Sequence, residues 1–411
     1  MVNEAEASIV SSVLIFCARI AKTNDNFHIL LPSVYNMLTM KTIGIFTSGY
    51  GHESIAEAIA EDIRHFAKNK YKIKTFKQEL ILDFAYSSLY RLNPSALGPP
   101  FRVVSNLLKT DKKLKKIVES LFLANNERQI KTFVKKHKIN LATSTYFVYN
   151  PALEKIQAKF KIPLINVFTD PKTIHPLAVP ELAQSNLVFD DKSEVNSSAH
   201  PLKPAGWFVR ERFEEDYDQQ DVRRQLQIAN RLTILIVSGS EGANAVLKIL
   251  PSIINCTKPV NFIIACGNNK FLYNNILGIK QSLEKLSSSQ AVLQPLGFTK
   301  ELHRYMQAAD LVIGKAGPNT LFESVATLTP FFAITHIHGQ EDGNLEIIKD
   351  YQLGFVEENA SKANRKLTAI LKKPEQLAKF QPHLLKLKKY NQGAGKILLE
   401  EIERLLAPSA K

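Results

Sequence analysis

The ten residues THIHGQEDGN, from Thr335 to Asn344, hold more hydrogen-bonding side chains than a simple connection needs. They follow the apolar run PFFAIT and include these polar groups: His336, His338, Gln340, Glu341, Asp342 and Asn344. So many donors and acceptors at one strand end are typical of a site that recognises a polyol. Two histidines at strand-like spacing also suit zinc or manganese, but the sequence indicates no third ligand. The segment therefore favours a hydroxyl-rich ligand, and we expect no metal.

A second stretch, LVIGKAGPNTLFES, has the pattern of an anion-binding turn. A strand over residues 311–313 runs into Gly314 and Gly317, and a helix is predicted to begin near Pro318 or Asn319. Proline suits the first turn of a helix, and the free backbone amides there attract an anion. Many parallel folds need glycine at such turns for geometry alone, so this pattern leaves a purely structural role open.

His52 lies where the predicted strand TIGIFT meets a helix predicted over residues 54–69. Apolar residues recur there at helical spacing, namely Ile55, Ile59, Ile63 and Phe66. The turn that holds Gly49, Gly51 and His52 should face the same opening as Asp170 in FTDPKTIHP. A titratable ring at this junction either makes a structural contact or carries chemistry.

Strand and helix patterns alternate along most of the chain, which positions these turns. The first half contains the strand-like runs TIGIFT, KIKTF, INLAT, PLINVFTD and NLVFDD, with helices inserted between about 80 and 138. The second half contains LTILIVSGS, NFIIACG, AVLQPLGF, LVIGKAG, PFFAIT and LGFVEE. Repeated strand–helix units predict parallel sheets with right-handed crossovers, and ligands bind at the carboxyl ends of such strands. The sequence therefore predicts an α/β protein with two domains and a cleft between them.

The length of 411 residues also favours two domains over one core. The proline-rich, then charged segment HPLKPAGWFVRERFEEDYDQQDVRR marks the boundary. We predict a first domain over residues 40–212 and a second over 213–411 that includes C-terminal helices. Residues 1–39 fit this pattern poorly and are expected to be an N-terminal extension or a mis-assigned start. The three cysteines are too few and too scattered for a disulfide framework.

The net charge of +14 is concentrated in one region. Residues 101–140 hold eleven Lys or Arg against three acids, and four of the cations form a tight cluster: Lys112, Lys113, Lys115 and Lys116. Such a run is either a solvated helix face or a surface for a polyanion. Nucleic acid and an anionic membrane both attract clustered cations. Apolar residues beside the run favour the membrane, so no nucleic-acid partner is expected.

Taken together, these segments resemble the glycosyltransferases that make glycosyl-diacylglycerols, namely the processive diacylglycerol glucosyltransferases and the galactosyldiacylglycerol synthases. The chain is more distantly similar to the peptidoglycan transferase that adds N-acetylglucosamine to lipid-linked muramoyl-pentapeptide. The resemblance covers roughly residues 40–400 and is most specific from GFTKELHRYM to HGQEDGN. It implies a GT-B fold, in which two Rossmann-like domains with parallel sheets face each other across a cleft.

The resemblance also implies which residues bind the nucleotide sugar: Arg210, Gly239, Gly297, Phe298, Gly317, Asn319, Thr320, Glu323, Gln340, Glu341 and Asn344. Among these, Phe298 would border the uracil and Glu323 would accept hydrogen bonds from the ribose. The helix that begins after Gly317 would hold the diphosphate, which Arg210 would approach from the linker. The lysine cluster and its apolar neighbours would hold the membrane and the lipid acceptor.

For catalysis, the resemblance places His52 as the general base of the cleft. The positive end of a helix disfavours imidazolium and keeps the ring ready to accept a proton. Asp170 is the rival base, or a partner that orients the donor. As an ordinary aspartate it would lose its activity at a lower pH than a histidine.

The implied activity is inverting transfer of a hexose from a UDP-sugar to a membrane lipid, with diacylglycerol the expected acceptor and glycolipid synthesis the process. The enzyme would lie in the cytoplasm, peripheral on the inner face of the cell membrane, and would need no metal or other cofactor. The alternative is transfer of N-acetylglucosamine from its UDP form to a polyprenyl-diphosphate-linked acceptor in cell-wall synthesis. A non-enzymatic nucleotide-binding or RNA-binding protein is a third possibility, which His52 and Glu323 disfavour.

Overall fold

Two sheets of parallel strands form the framework that positions the predicted site. The computed structural model describes residues 40–49, 51–78, 103–193, 202–238, 243–285 and 289–407. The first sheet comprises β1 (Thr42–Thr47), β2 (Lys72–Lys77), β3 (Ile139–Ser144), β4 (Leu164–Val167), β5 (Ser185–Val188) and β6 (Leu202–Pro204). The second comprises β7 (Thr233–Val237), β8 (Val260–Gly267), β9 (Ala291–Gly297), β10 (Leu311–Lys315), β11 (Phe331–Thr335) and β12 (Gly354–Val356).

Helices connect the strands and cover both sheets. They are α1 (Gly51–Phe66), α2 (103–110), α3 (Lys112–His137), α4 (Asn150–Phe160), α5 (Glu211–Glu214), α6 (Gln219–Gln225), α7 (Ala243–Ile254), α8 (Lys270–Leu283), α9 (Leu302–Ala308), α10 (Pro318–Ala326), α11 (Asp342–Asp350), α12 (Ala360–Lys372), α13 (Gln381–Asn391) and α14 (Ala394–Leu406). Short 3₁₀ turns lie at Phe147–Tyr149, Pro176–Ala178 and Pro374–Phe380. In the described part of the chain, no helix is both long enough and apolar enough to cross a membrane.

The strand order shows where the chain reverses the direction in which it adds strands to each sheet. The first sheet has the order β2-β1-β3-β4-β5-β6 and the second β12-β11-β10-β7-β8-β9, and neighbouring strands run parallel. The switch points therefore lie between β1 and β3 and between β7 and β10. Ligands of doubly wound sheets bind outside the carboxyl ends of the strands at these points. The predicted α/β architecture of two Rossmann-like domains is confirmed.

Burial explains why the strand predictions succeed. Every residue of β1 and of β7 is buried, because helices cover parallel sheets on both faces and their strands read as continuous apolar runs. Two predictions need correction. Helix α1 begins at Gly51 rather than residue 54 and ends by residue 66, because Lys68 and Asn69 adopt positive φ. His52 therefore lies inside the first turn. The predicted linker also contributes an edge strand, β6.

The linker after β6 packs between the two sheets. The ring of Trp207 is 3% exposed and stacks on Phe322 of α10, with ring centres 4.7 Å apart. Phe322 also contacts Phe189, which follows β5, with ring centres 4.8 Å apart. These aromatic contacts fix α10, which carries several predicted donor residues, against the first domain.

The last helix packs on the first domain. A Cβ at Gly395 of α14 would come within 2.6 Å of Asp62 Cγ and Phe66 Cε2 on α1, so the two helices touch through a residue without a side chain. Lys41 donates to the carbonyl of Leu406 at 2.5 Å. The predicted domain boundaries stay predictions, but α14 joins the end of the chain to its first helix.

This α1–α14 contact partly buries the Asp62 carboxyl group, which we expect to make stability depend on pH. Burial raises the pKa of Asp62 from 3.8 to about 8, and the Glu214, Glu61 and Glu211 carboxylates add to the shift. The folded protein retains a proton that the unfolded chain releases above pH 4, so the free energy of unfolding falls as pH rises from about 4 to about 8. We expect Asp62→Asn, which cannot ionise, to raise the melting temperature at about pH 8.5 and to leave it unchanged near pH 4.

Melting curves of the variant and the unmutated protein at the two pH values test this prediction. Glu284→Gln makes the same chemical change on an exposed side chain of the second domain and should shift neither curve. An equal shift of the Asp62→Asn melting temperature at both pH values would mean that its effect comes from packing and not from ionisation.

Candidate active site

The two switch points meet across the cleft. Asn319, in the first turn of α10, donates from Nδ2 to the carbonyl oxygen of Gly51 at 2.9 Å. Gly51 begins α1, and a Cβ there would lie 3.1 Å from the same amide nitrogen. A glycine at this position lets the starts of the two helices approach closely. The residue that follows Gly51 is His52, so the predicted base lies beside the predicted diphosphate site.

The hydrogen bonds of His52 decide which ring nitrogen accepts a proton. Its Nδ1 lies 2.9 Å from the carbonyl oxygen of Thr145, which follows β3. A carbonyl only accepts hydrogen bonds, so Nδ1 carries the proton and donates, and Nε2 is the basic nitrogen of the neutral ring. The ring also lies 4.9 Å from that of Tyr146. The structure thus orients His52 as a general base needs, while its catalytic role stays a prediction.

Asp170 approaches the second domain from the loop after β4. Burial raises its pKa to about 7, a hydrogen bond from Gln340 opposes the shift, and the Glu341 carboxylate adds to it. The same loop supplies Thr173, whose hydroxyl accepts from the backbone amide of Gly343 at 2.9 Å. Asp170 and Gln340, predicted to act on the acceptor and the donor, therefore meet across the cleft.

The turn after β10 has the predicted anion-binding geometry. Gly317 is the N-cap of α10 and Pro318 is its first residue, as the sequence predicts. A Cβ at Gly317 would lie 3.4 Å from Lys315 Nζ and 3.6 Å from Glu341 Oε1. The start of α10 therefore has an amine and a carboxylate beside it, and the amine is placed to add to the attraction that the helix amides exert on an anion.

Lys315 is the residue that the sequence analysis missed. It ends β10, and its amine forms an ion pair with the carboxylate of Glu341. The only signal in the sequence was a cation at the strand end, in GKAG, which is too common a feature to single out. The structure gives it significance by placing it against Gly317.

Two residues that are predicted to bind the donor, Glu341 and Asn344, also make contacts that hold the loop together. Glu341 is 4% exposed and also accepts from the backbone amide of Ile337 at 2.7 Å, in addition to its ion pair. Asn344 is 2% exposed and donates to the carbonyl of Ala316 at 2.7 Å. Both residues thus fix the turn that presents Gly317, while Gln340 and the backbone of Gly343 reach the first domain.

Arg210 and Glu323 are predicted to bind the diphosphate and the ribose, and the structure pairs them with each other. Arg210 donates to Glu323 Oε1 at 2.5 Å and approaches Glu57 of α1 at 3.5 Å. Burial raises the pKa of Glu323, although the Arg210 guanidinium opposes the shift. Arg210 therefore links the linker, α1 and α10 at one point of the cleft.

Four predicted donor residues remain: Gly297, Phe298, Thr320 and Gly239. Gly297 ends β9, and Phe298 after it is 67% exposed; its contact with the uracil stays a prediction. Thr320 is half-buried in the first turn of α10. Gly239 lies outside the described residues.

The lysine cluster lies at the start of α3. Lys112, Lys113 and Lys116 are exposed, while Lys115 is half-buried and lies 3.5 Å from Glu119. A cavity of about 730 Å³ separates this helix from the Pro176–Ala178 turn. Its lining combines four lysines and four apolar residues with two acids and a serine: Lys109, Lys112, Lys115, Lys116, Leu108, Ile174, Pro176, Val179, Glu119, Glu181 and Ser193.

A larger cavity lies at the opposite end of the second sheet. It has a volume of about 920 Å³ and is lined in part by Leu232, Asp310 and Pro330, which precede β7, β10 and β11. Ligands of parallel sheets bind at the carboxyl ends of strands, and this cavity lies at the amino ends. We therefore place the site at the cleft and not in this cavity.

One protein-family model and several relatives match this chain. Residues 233–386 match the glycosyltransferase family 28 C-terminal domain. The match lies in the second half of the chain and spans 154 of its 411 residues. The processive diacylglycerol beta-glucosyltransferase of Bacillus licheniformis is 23% identical over 377 residues, which cover 89% of this chain and 95% of the relative. The probable monogalactosyldiacylglycerol synthase 3 of Oryza sativa subsp. japonica is 24% identical over 354 residues, covering 78% of this chain and 66% of the relative.

Solved structures share the two-domain fold. MurG of Acinetobacter baumannii has a TM-score of 0.58 and 15% identity, covering 89% of this chain and 99% of that one. The glycotransferase of kitacinnamycin has a TM-score of 0.59 and 12% identity, covering 90% of this chain and 100% of that one. A UDP-GlcNAc 2-epimerase of Neisseria meningitidis also matches, with a TM-score of 0.53 and 15% identity over 89% of this chain and 100% of that one. The fold alone therefore does not decide the reaction.

The family 28 domain and the relatives confirm the resemblance found in the sequence and the GT-B fold that it implies. They also confirm that the chain is a glycosyltransferase. The identity of the sugar and of the acceptor goes beyond these findings.

Proposed function

We propose that this glycosyltransferase moves a hexose, with inversion, from a UDP-sugar to diacylglycerol at an anionic membrane surface. The observation that carries the proposal is the contact between Asn319 and Gly51, which sets His52 beside the start of α10. A base and an anion site thus lie together at the switch points of both sheets. The names of the relatives, which act on diacylglycerol, support a lipid acceptor.

In the proposed reaction, the hydroxyl oxygen of the acceptor attacks the anomeric carbon of the sugar as the bond from that carbon to the diphosphate breaks. His52 Nε2 takes the hydroxyl proton during the attack. Negative charge builds on the departing UDP, where the amides at the start of α10 and the side chains of Lys315 and Arg210 would stabilise it. Attack opposite the leaving group inverts the configuration, and no step of this scheme passes through a metal.

The acceptor side is supported by a mixed apolar and basic surface. On α3, Ile117 and Leu121 are 58% and 59% exposed and lie four residues apart, hence on one helix face. Val103, Val104 and Leu107 of α2 are also exposed, and the lysine cluster lies between the two groups. Apolar side chains that enter a membrane next to cations that bind anionic lipids favour peripheral attachment. This surface supports the proposal that the enzyme binds the inner, anionic face of the cell membrane.

The experiment that tests the function is product analysis by mass spectrometry. The full chain is incubated with vesicles of diacylglycerol and anionic lipid and, in separate reactions, with UDP-glucose, UDP-galactose or UDP-N-acetylglucosamine. We expect a hexosyl-diacylglycerol from one of the first two donors. Product only from UDP-N-acetylglucosamine, and only when the vesicles contain a polyprenyl-diphosphate-linked acceptor, would replace the proposal with the cell-wall reaction.

A charge-reversal variant tests the membrane surface. Changing Lys112, Lys113, Lys115 and Lys116 to Glu should reduce co-sedimentation with anionic vesicles by at least about tenfold, since each cation near such a surface contributes roughly 1 kcal/mol. High salt should weaken the unmutated protein in the same way.

The matched control reverses four exposed lysines on or just after α12 of the second domain: Lys362, Lys366, Lys372 and Lys373. It carries the same change of net charge and should sediment like the unmutated protein. Equal losses in both variants would show that only total charge matters, and binding that ignores both salt and the first variant would make the lysine cluster a solvated face.

A further inference from the structure

Three side chains that commonly bind metals converge at the carboxyl end of β11. They are His336, His338 and Asp342, and their potential ligand atoms all lie within 4.8 Å of one another. The sequence indicates the two histidines but no third ligand. The structure supplies a third ligand, Asp342. This residue begins α11, and the loop before it brings its carboxylate back to the end of β11.

His336 is oriented as a metal ligand would be. It is 5% exposed, and its Nε2 lies 2.9 Å from Asp342 Oδ1. Its Nδ1 lies 2.6 Å from Glu358 Oε1. A metal-binding histidine commonly donates its other ring N–H to a carboxylate, which fixes the tautomer and turns the free nitrogen to the metal. Glu358 plays that part here, so Nε2 is the nitrogen that faces the other two groups.

The topology explains why Glu358 is available. It follows β12, which pairs with β11 in the sheet, so the carboxyl ends of the two strands bring His336 and Glu358 together. The remaining groups are also held in place. The ring of His338 lies perpendicular to that of His336, at 79°, with ring centres 4.2 Å apart. Asp342 Oδ1 accepts from the backbone amide of Gly339 at 2.8 Å.

We propose that His336, His338 and Asp342 bind one divalent transition-metal ion, zinc first among them, with Glu358 as the outer partner of His336. Two imidazoles and one carboxylate form a set that zinc accepts in tetrahedral coordination, with water at the fourth position. Magnesium and calcium prefer oxygen ligands throughout and are disfavoured by the two histidines. The ion replaces the proton that otherwise lies between His336 and Asp342, so its binding releases protons.

The role of the ion is to hold the loop that carries the predicted donor residues. Gln340 and Glu341 lie between His338 and Asp342 in the chain, so three ligands from residues 336–342 close this segment into a fixed turn. Gln340 reaches Asp170 across the cleft from this turn. Metal binding needs no substrate, so the metal site can be tested independently of the proposed sugar and acceptor.

Cobalt titration tests the site, since Co²⁺ takes similar ligands and absorbs visible light when bound. The untagged full chain is stripped with a chelator, titrated with Co²⁺ and then with Zn²⁺. We expect one Co²⁺ per chain at micromolar concentrations, displacement by Zn²⁺, and a higher melting temperature with Zn²⁺. His338→Ala and Asp342→Asn should abolish all three responses, and Glu358→Gln should weaken binding by about 10–100-fold.

His65→Ala is the matched control, because it removes an exposed histidine of the first domain. It should bind Co²⁺ like the unmutated protein. Binding that survives unchanged in both His338→Ala and Asp342→Asn would overturn the site, as would the absence of stoichiometric binding by the unmutated chain.

Discussion

Replacing His52 with alanine is expected to lower turnover by about 10²–10⁴-fold, the usual contribution of a positioned acid or base. Binding of UDP should change little, because the predicted donor residues other than Arg210 lie on the second domain. The activity of the unmutated protein should fall at acidic pH, since a protonated imidazole cannot accept the acceptor's proton. Initial rates at saturating UDP-sugar and fixed vesicle composition, measured against pH, check both expectations.

His52→Asn is the sharper variant. An asparagine amide can still donate to the carbonyl of Thr145, as His52 Nδ1 does at 2.9 Å, but it cannot take up a proton. If His52 only ties α1 to the end of β3, the asparagine variant should recover the activity that alanine loses. Wild-type turnover in His52→Asn would therefore contradict the catalytic role.

Asp170 changes how the pH profile must be interpreted. An ordinary aspartate base would lose activity at a lower pH than a histidine. For Asp170 this expectation is wrong, because burial raises its pKa to about 7. A profile that falls below neutral pH thus fits either base. The substitutions separate them: Asp170→Asn keeps a hydrogen-bonding partner for Gln340, and if this variant is inactive while His52→Ala turns over, Asp170 is the base.

The strands were predictable because their environment is uniform. Helices cover both faces of each sheet, so the inner strands are continuous apolar runs bounded by polar turns. β6 lacks that signal. It lies at the edge of the first sheet and contains Pro204, which an inner strand would exclude because proline has no N–H for the ladder. The start of α1 also lacks a clear signal, because Gly51 is a weak helix former. The absence of a side chain at Gly51 leaves room for Asn319.

Site residues were predictable where one short segment carries them. The turn after β10 combines strand, glycines and helix start within a few residues, and its outline could be read directly. The pairing of Arg210 with Glu323 spans 113 positions, and that of His336 with Glu358 joins two strand ends. Such contacts follow from strand order, which the sequence alone did not specify. Glu341 shows the same limit, because its partner Lys315 lies on the neighbouring strand.

Lys315→Met should lower turnover by about 10²–10³-fold, the range seen when one preorganised group that stabilises developing charge is removed. A Cβ at Gly317 would lie 3.4 Å from Lys315 Nζ, so the amine is next to the amides that would hold the departing diphosphate. UDP should also bind more weakly, because its charge is present before the reaction. Turnover by product formation and UDP affinity by calorimetry measure the two effects.

The ion pair with Glu341 gives the lysine a second role, which must be separated from the first. Breaking a buried pair costs about 3–5 kcal/mol, and the cost here should be lower because the Lys315 side chain is 22% exposed. Lys315→Met combined with Glu341→Gln removes both charges and should restore the melting temperature. Turnover of the double variant should stay low when compared with that of Glu341→Gln alone. Lys315→Arg keeps the positive charge and should retain much of the activity. If the double variant instead regains the turnover of Glu341→Gln, then Lys315 serves only to neutralise Glu341, and the cation that meets the diphosphate is Arg210.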